Sequence, residues 1–350
     1  MQKKTQTIQI GDRLIGPGQP CFLVVEVGTT CLGDLDNALK LVEAGAAAGV
    51  DAVKFQVIDP DQLSDTKVEY QFSANGQTQR ANMKEMFSRL QFNREQWAAI
   101  RDACNAKGML FFATVDYPGG VDLLEELDVP VHKMGAWDVT YLPLVKKIAE
   151  TGKPIFVDLG PANEQDVDDL VEHFLKFGGK TVLFMHDFHT QDPAQMNMRT
   201  IAYLNAKFSW PAGFSSPGRN DDLDFLALGL DAYYLEKRLI LSRSLKAFHA
   251  DESLEPDELK DWVTRVRRAE KAMGRNAIIP SDADCRMSQD YYRSIVAAAP
   301  MTRGAEFTAA NLACKRPGTG IATVHLADII GRRATRDLKA DELLQQGDFS

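Results

Sequence analysis

Cysteine, long apolar runs and excess positive charge are all scarce in this sequence, and each shortage excludes a class of protein. The 350 residues include 5 cysteines, which are spread along the chain without a Cys-x-x-Cys pair. A disulfide scaffold or a structural zinc site is therefore not expected, and a reducing compartment fits better. No stretch approaches about 18 apolar residues, and no apolar segment follows the first residues, so we predict neither a membrane span nor a signal peptide. We expect a cytoplasmic protein.

The charge balance is acidic, with 40 Lys and Arg against 49 Asp and Glu and a net charge of −9. Binding to nucleic acid is not expected, because neutralising phosphates needs clustered Lys and Arg. A site for a small anion remains compatible, since it needs only a few local cations. The 45% apolar and 25% charged content is ordinary for a globular protein, and disordered, collagen-like and coiled-coil chains are poor fits.

Eight short apolar runs recur along the first two thirds of the chain, each rich in Val, Ile, Leu or Phe. This composition is typical of parallel strands that are buried on both faces. The runs span residues 21–27, 52–57, 109–114, 129–134, 154–159, 181–186, 211–215 and 231–236.

Amphipathic patterns typical of helices lie between these runs, as at residues 35–48, 93–106, 121–127 and 165–177. Eight strand-then-helix units predict an α/β fold of the TIM (β/α)8 type. A doubly wound sheet is the alternative, but eight evenly spaced units favour a closed barrel. Residues 8–10 and 14–16 are predicted to form an N-terminal hairpin that plugs the barrel floor.

The pattern changes after the last of these units, and three segments are predicted. Residues 1–275 form the barrel, the mostly polar residues 276–286 form a linker, and residues 287–350 form a small β-rich domain. A domain of that size is marginally stable alone, so we expect it to lean on the barrel or on a partner chain.

Polar residues that end the eight runs are the candidates for chemistry, because TIM-barrel active sites lie at the carboxyl ends of the strands. They are Glu26, Lys54, Gln56, Thr114, Asp116, Lys133, Asp158, His186, Asp187, Ser215, Ser216 and Glu236. A lysine within an apolar strand is costly unless it meets an anion. Lys54 and Lys133 therefore indicate a bound phosphate or carboxylate, the alternative being that they pair with carboxylates of the barrel.

Two other features each leave alternatives open. Glu26 is a general base or a metal ligand, or it forms an ion pair with Lys54. His186 and His189 are spaced i, i+3 and either bind a metal such as Mn, Fe or Zn or have a structural role.

Several segments along the chain resemble the N-acetylneuraminate (sialic acid) synthase family, which includes the spore-coat polysaccharide synthases, and they follow one another as in that family. Residues 51–56 read Asp-Ala-Val-Lys-Phe-Gln, as in the family, and residues 253–259 read Ser-Leu-Glu-Pro-Asp-Glu-Leu. Residues 21–33 are similar to the family's opening strand, and residues 132–143 to its segment around the fourth strand. Residues 315–321 are similar to the Lys-Arg-Pro-Gly segment of its C-terminal SAF (antifreeze-like) domain.

The resemblance implies a phosphoenolpyruvate-dependent synthase. Such an enzyme condenses phosphoenolpyruvate with an open-chain amino-sugar aldehyde, releases phosphate and forms a sialic-acid-like 2-keto-3-deoxy ulosonic acid for surface polysaccharides. It also implies Mn²⁺ or another divalent metal that polarises the aldehyde. A domain-swapped homodimer is implied as well, in which Arg316 reaches from the SAF domain of one chain to the sugar bound by the other.

Positions matching the family's motifs receive roles from the resemblance alone. Glu26, Lys54, Lys133 and Asp138 would be catalytic, with Lys54, Lys133 and Thr114 holding phosphoenolpyruvate and Asp138 standing where the family has glutamate. His186 looks like the first metal histidine. The remaining positions would bind substrate, and they are Gln56, Ser215, Glu236 and Arg316.

Departures from the family pattern fall on the same sites. Pro217 stands where the family has a second metal histidine, Asp158 where it has a phosphate-binding serine, and Arg238 where it has another histidine. Ala136-Trp137 replaces Ser-Gly, and Thr29-Thr30-Cys31 replaces the Asn-His motif. Two alternatives therefore stay open. One is a member with lost catalysis that acts as a ligand-binding or regulatory protein. The other is an enzyme of altered range that works without a metal, or with ligands drawn from Glu26, Asp158, Asp187 or His189.

Overall fold

The structure is a computed structural model that describes residues 4–65, 67–74, 76–190 and 192–350. The chain divides into two compact units, with the first ending at Gly274 and the second running from Arg275 to Ser350. Among the described residues, no helix is both long and apolar enough to span a bilayer.

Fourteen strands are present in the described residues. They are β1 (Ile8–Ile10), β2 (Arg13–Ile15), β3 (Phe22–Glu26), β4 (Ala52–Val57), β5 (Glu69–Ala74), β6 (Gln77–Asn82), β7 (Leu110–Val115), β8 (His132–Met134), β9 (Ile155–Asp158), β10 (Val182–His186), β11 (Ala212–Ser215), β12 (Tyr234–Arg238), β13 (Ser294–Ala297) and β14 (Leu312–Lys315).

Eight of these strands form a closed parallel barrel, in the order β3, β4, β7, β8, β9, β10, β11, β12 and back to β3. Each overlaps one of the eight apolar runs, so the predicted TIM barrel is confirmed. Twelve α-helices are described: α1 (Leu35–Ala48), α2 (Pro60–Leu63), α3 (Met83–Ser88), α4 (Arg94–Ala106), α5 (Pro118–Glu126), α6 (Leu142–Ala149), α7 (Glu164–Lys176), α8 (Thr200–Phe208), α9 (Asp222–Gly229), α10 (Pro256–Met273), α11 (Asp282–Tyr291) and α12 (Leu326–Ile329).

Local capping chemistry explains where the predicted helices begin and end. The Asn93 side chain accepts the Gln96 N–H and so caps α4, and α1 ends at Gly49, whose φ of 82° suits glycine. Helix α5 begins at Pro118, three residues before the predicted start, because proline fits the first turn of a helix.

The predicted N-terminal hairpin is confirmed. β1 pairs antiparallel with β2, with Ile8 opposite Ile15. Ile10 and Ile15 are buried in one cluster with inward-facing barrel residues such as Phe112 and Phe156. The hairpin therefore closes the amino end of the barrel, which leaves the carboxyl end for chemistry.

A second hairpin follows the barrel strand β4. Its strands β5 and β6 pair antiparallel, and Tyr70 and Phe72 on β5 lie 4.9 and 5.2 Å, between ring centroids, from Phe248. Phe87 packs on the same ring at 6.5 Å. This aromatic cluster anchors the hairpin to the segment that follows β12.

The second unit has its own apolar core, which includes Ile295, Phe307 and Leu344. It contains one antiparallel pair, β13 with β14, and isolated bridges in place of a larger sheet. Helix α11 begins inside the segment predicted as a linker, because Ser281 caps it by accepting the Asp284 N–H.

Replacing Ile15 by Ala tests the floor of the barrel. The Ile15 side chain is fully buried, whereas its neighbour Leu14 is 46% exposed. We expect Ile15→Ala to lower the free energy of unfolding by about 2–5 kcal/mol, since it leaves a cavity. Leu14→Ala, which removes as many carbons, should change it far less. Urea unfolding measures both, and equal effects would show that the hairpin does not close the core.

Candidate active site

Strand alternation decides which side chains reach the mouth of the barrel. On β12, Tyr234 lies in the interior cluster, so Glu236 and Arg238 share its inward face while Lys237 points outward. The Lys237 ammonium lies 2.9 Å from Asp224 Oδ2 and donates to the Gly218 carbonyl oxygen at 2.8 Å. Lys237 therefore holds the loop after β11 and does not face the mouth.

Glu236 is the centre of a buried ionic cluster. Its Oε1 accepts from Lys54 Nζ at 2.7 Å, and its Oε2 accepts from Lys133 Nζ at 2.9 Å. Lys133 Nζ also lies 2.9 Å from Asp158 Oδ1, and Ser215 Oγ lies 3.5 Å from Glu236 Oε1. Two ammonium groups thus face two carboxylates, and the pairing lets these charges be buried.

The ionisation of this cluster follows from its geometry. Burial lowers the pKa of Lys54, and Glu236 offsets that effect only in part. Burial acts on Lys133 in the same sense, but Asp158 and Glu236 outweigh it and raise the pKa of Lys133. Burial raises the pKa of Asp158 to about 6 against the pull of Lys133, whereas Lys133 and Lys54 overcome burial and lower the pKa of Glu236 to about 2. Lys133 and Glu236 therefore stay charged at neutral pH.

Two interpretations of Lys54 and Lys133 were left open by the sequence, a bound anion or pairing with barrel carboxylates. In the protein without a ligand, both lysines pair with barrel carboxylates. The expected partner differs, since Lys54 pairs with Glu236 and not with Glu26. Glu26 Oε1 instead accepts the Gly28 N–H at 2.8 Å and Gln56 Nε2 at 3.1 Å. Its Oε2 is buried and has no hydrogen-bond partner among the described residues.

His186, which the resemblance implies to be a metal ligand, does not lie on the inward face of its strand. On β10 the inward residues are Leu183 and Met185, so His186 points outward between the barrel and its helices. Its Nε2 donates to the Met196 carbonyl oxygen at 2.7 Å, and its ring lies 5.9 Å, between ring centroids, from Phe214. Burial lowers the pKa of His186 and favours the neutral ring. The His186 ring nitrogens therefore do not face the mouth, where a metal bound with the substrate would lie.

A pair of carboxyl groups lies on the rim beside the predicted Thr114, whose strand position is opposite Lys133. Burial raises the pKa of Asp138 to about 6. Burial, and next the nearby Asp138, raise the pKa of Asp116 to about 7. Both carboxyl oxygens of Asp116 are buried without a hydrogen-bond partner among the described residues. Each of these two carboxyl groups therefore takes up a proton closer to neutral pH than an ordinary aspartate does.

Sequence reasoning gave no role to two of the residues that meet at the mouth. Asp116 follows Thr114 by two positions, and Arg238 follows Glu236 by two. In each case the two-residue period of a strand was the available signal, because it places both members of a pair on the same inward face.

An aromatic stack occupies the rim where the family has Ser-Gly. The Trp137 ring lies parallel to His189, with centroids 5.0 Å apart and planes 8° apart, and Trp137 is 65% exposed. His189 Nε2 in turn lies 3.5 Å from Asp187 Oδ2. This stack presents a flat apolar surface at the entrance.

Arg316 belongs to the second unit. Its Nε donates to the Tyr291 carbonyl oxygen at 2.6 Å, and the side chain is exposed. Its role at the sugar and the swapped dimer stay predictions.

The implied divalent metal does not fit the donors that are present. The described parts of the chain contain no group of three or more His, Cys, Asp or Glu residues that could hold a metal ion. The positions of the two family histidines after β11 and at the end of β12 carry Pro217 and Arg238. Of the substitutes proposed from sequence, Asp158 is committed to Lys133.

Comparison with known proteins decides the family. The NeuB family model matches residues 41–277, and the SAF domain model matches residues 292–350. The chain belongs to the NeuB family. The resemblance seen in the sequence is thereby confirmed.

Two relatives of this NeuB-family chain are named synthases. It is 30% identical to the N,N'-diacetyllegionaminic acid synthase of Campylobacter jejuni, over 93% of this chain and 99% of that protein. It is 24% identical to the human N-acetylneuraminate-9-phosphate synthase, over 95% and 94%. The crystal structure of the spore coat polysaccharide biosynthesis protein SpsE of Bacillus subtilis superposes with a TM-score of 0.66 at 26% identity and covers 99% of both chains.

Replacing Lys133 by Met tests the ionic cluster. Because it leaves Glu236 and Asp158 with an uncompensated buried charge, we expect a loss of about 3–5 kcal/mol in the free energy of unfolding. Lys133→Met/Asp158→Asn should recover part of that loss, and Lys146→Met, at a side chain that is 52% exposed, should cost little. Urea unfolding compares the three variants. A loss in Lys133→Met no larger than in Lys146→Met would contradict the cluster.

The pKa of Asp116 predicts a pH-dependent stability. Since the folded-state pKa of about 7 lies above the ordinary value of 3.8, the folded chain binds the extra proton between those values and gains stability as pH falls through 7. Asp116→Asn removes this effect. We expect the variant to be about 2–4 kcal/mol more stable than wild type at pH 8 and nearly equal to it at pH 4. Urea unfolding of both proteins at both pH values measures this difference. A difference between variant and wild type that is the same at pH 8 and pH 4 would contradict the raised pKa of Asp116.

Proposed function

We propose that this chain condenses phosphoenolpyruvate with an open-chain amino-sugar aldehyde to give a sialic-acid-like 2-keto-3-deoxy ulosonic acid for surface polysaccharides. The observation that carries the proposal is the pair of buried ammonium groups, Lys54 and Lys133, at the mouth of a NeuB-family barrel. Phosphoenolpyruvate bears a phosphate and a carboxylate, and two fixed cations suit such a ligand. The names of the relatives support the same class of product.

The reaction needs three events at one site. C3 of phosphoenolpyruvate forms a bond to the aldehyde carbon, and the carbonyl electron pair moves to the aldehyde oxygen, which gains a proton. Water adds to C2 and loses a proton. The bond between C2 and the phosphate oxygen then breaks with its electron pair going to phosphate, and the C2 hydroxyl passes its proton to the departing phosphate, which leaves the 2-keto group.

The residues at the mouth suit these events. In this proposal Lys54, Lys133 and Thr114 hold phosphoenolpyruvate, while Gln56, Ser215 and Glu236 orient the reactants. The free Oε2 of Glu26 is available to hold the attacking water, and Asp138 can move a proton because its pKa is raised to about 6. The proposed site within one chain therefore consists of Glu26, Lys54, Gln56, Thr114, Lys133, Asp138, Ser215 and Glu236.

Two further parts of the proposal concern the surroundings of the site. Arg316 of the partner subunit would contact the sugar in a domain-swapped homodimer. The cytoplasm is the proposed compartment, because all five cysteines are free thiols.

Asp158 supports a second candidate, a family member that binds a ligand without catalysis. Its carboxylate stands where the family has a phosphate-binding serine, and it lies 2.9 Å from Lys133. A phosphate that approaches Lys133 must displace or protonate Asp158. If protonation does not occur, the site would select a ligand with less negative charge.

Titration calorimetry with phosphoenolpyruvate tests the proposal without a choice of sugar. We expect binding to wild-type protein and a loss of about 10- to 100-fold in affinity in Lys54→Gln, because a charge-assisted contact is removed. Lys146→Gln is the exposed control and should bind as wild type does.

Phosphate release with a panel of amino-sugar aldehydes completes this test. Circular dichroism of Lys54→Gln shows that a loss of binding is not a loss of fold. A flat titration with wild-type protein would overturn the synthase and favour the second candidate.

A further inference from the structure

The guanidinium of Arg238 is a third cation at the mouth. Arg238 is the last residue of β12, shares the inward face of Glu236 and lies opposite Glu26 of β3 in the parallel register. Glu26 is in turn opposite Lys54 on β4. Arg238 therefore lies two residues beyond Glu236 on β12 and is level in the register with Glu26 and Lys54.

Carboxylates surround this guanidinium. Arg238 Nη1 lies 3.7 Å from Glu252 Oε2, and its side chain is 19% exposed. Glu26 is the register partner of Arg238, and its Oε2 is buried without a hydrogen-bond partner among the described residues. Burial opposes the charge of Arg238, but Glu26, Asp187, Glu252 and Glu236 outweigh burial and raise its pKa. An arginine in such a setting keeps its charge at every physiological pH.

The same place lacks the donors that a divalent ion needs. Ser215, the last residue of β11, is opposite Glu236 in the register; Pro217 follows Ser215 by two residues in the loop after β11, and Arg238 follows Glu236 by two residues on β12. Proline has no donor atom, and a guanidinium has no lone pair to offer and repels a cation. A ligand there meets a fixed organic cation in place of histidine nitrogens.

We propose that Arg238 is the electrophilic group of this site, so that the condensation proceeds without a divalent metal. The inference rests on the proposed function. An N–H of Arg238 donates to the aldehyde oxygen while the bond from C3 forms and the carbonyl electron pair moves onto that oxygen. The guanidinium keeps its own protons. The proton that the oxygen gains is balanced by the one that water loses when it adds to C2.

The stabilisation is electrostatic and strongest when the oxygen carries negative charge. A donor aimed at developing charge contributes to kcat more than to ground-state binding. Removing such a donor costs about 100- to 1,000-fold in kcat. Arg238 should therefore affect turnover without changing the affinity for phosphoenolpyruvate, whose anionic groups are assigned to Lys54 and Lys133.

Two measurements on the full-length protein test the inference. The first is calorimetric titration of Mn²⁺ alone into chelator-treated wild-type protein, where no stoichiometric binding is expected. The second is phosphate release from phosphoenolpyruvate with the sugar panel, in the presence of a chelator and of added Mn²⁺. We expect wild-type turnover to agree within about twofold in the two conditions.

Three variants separate a role in turnover from a structural one. Arg238→Gln should lower kcat by about 100-fold while the Kd for phosphoenolpyruvate changes less than about threefold. Arg238→Lys should retain an intermediate kcat, because it keeps the charge but loses the planar donor pair. Arg268→Gln, at an exposed arginine of α10, is the matched control and should equal wild type.

The outcomes distinguish this inference from the proposed function. Stoichiometric Mn²⁺ binding with turnover that is lost in chelator overturns the inference and leaves the synthase standing. Wild-type kcat in Arg238→Gln overturns it as well. Absence of turnover both with and without Mn²⁺ overturns the proposed function, and the inference with it.

Discussion

The bridge that Glu236 makes between Lys54 and Lys133 is the interaction on which the mouth of this barrel depends. One carboxylate bridges two ammonium groups from β4 and β8, strands that are not neighbours of β12 in the sheet. The bridge therefore crosses the barrel interior and fixes three strand ends relative to one another. Without this bridge, the desolvation penalty of the buried ammonium and carboxylate groups, about several kcal/mol per ion, would not be offset.

The cluster also sets the electrostatic character of the candidate site. Asp158 shares Lys133 with Glu236, so the ammonium groups are balanced by carboxylates before any ligand arrives. An incoming anion must compete with these carboxylates, and the pKa of Asp158, raised to about 6, marks it as the one most readily neutralised. Arg238 adds a positive charge two residues beyond Glu236 on the same strand. The proposed anion binding and the proposed electrophilic assistance thus involve different cations of one mouth.

A two-residue period separates the mouth from the shell around the barrel. Glu236 and Arg238 face inward while Lys237 holds the loop after β11, and Met185 faces inward while His186 packs against Phe214. Chemistry-bearing residue types occur on both faces of a strand. Their functions differ because one face meets solvent and ligand and the other meets helices.

The sequence by itself determined the barrel, the floor hairpin and the strand ends that bear polar residues. These depend on local periodicity and on apolar runs, which are properties of neighbouring residues along the chain. Only the tertiary structure decided which carboxylate meets which lysine. Glu26 is opposite Lys54 in the register, yet the Lys54 ammonium donates to Glu236, while Oε1 of Glu26 accepts from Gly28 and Gln56.

Arg238 and His186 show the same division between sequence and structure. A resemblance by position assigned His186 to a metal and left Arg238 without a role, since a motif carries residue identity but no side-chain direction. In the closed barrel, His186 points outward and Arg238 points inward. Direction depends on strand register and closure, and contacts between strands far apart in sequence set both.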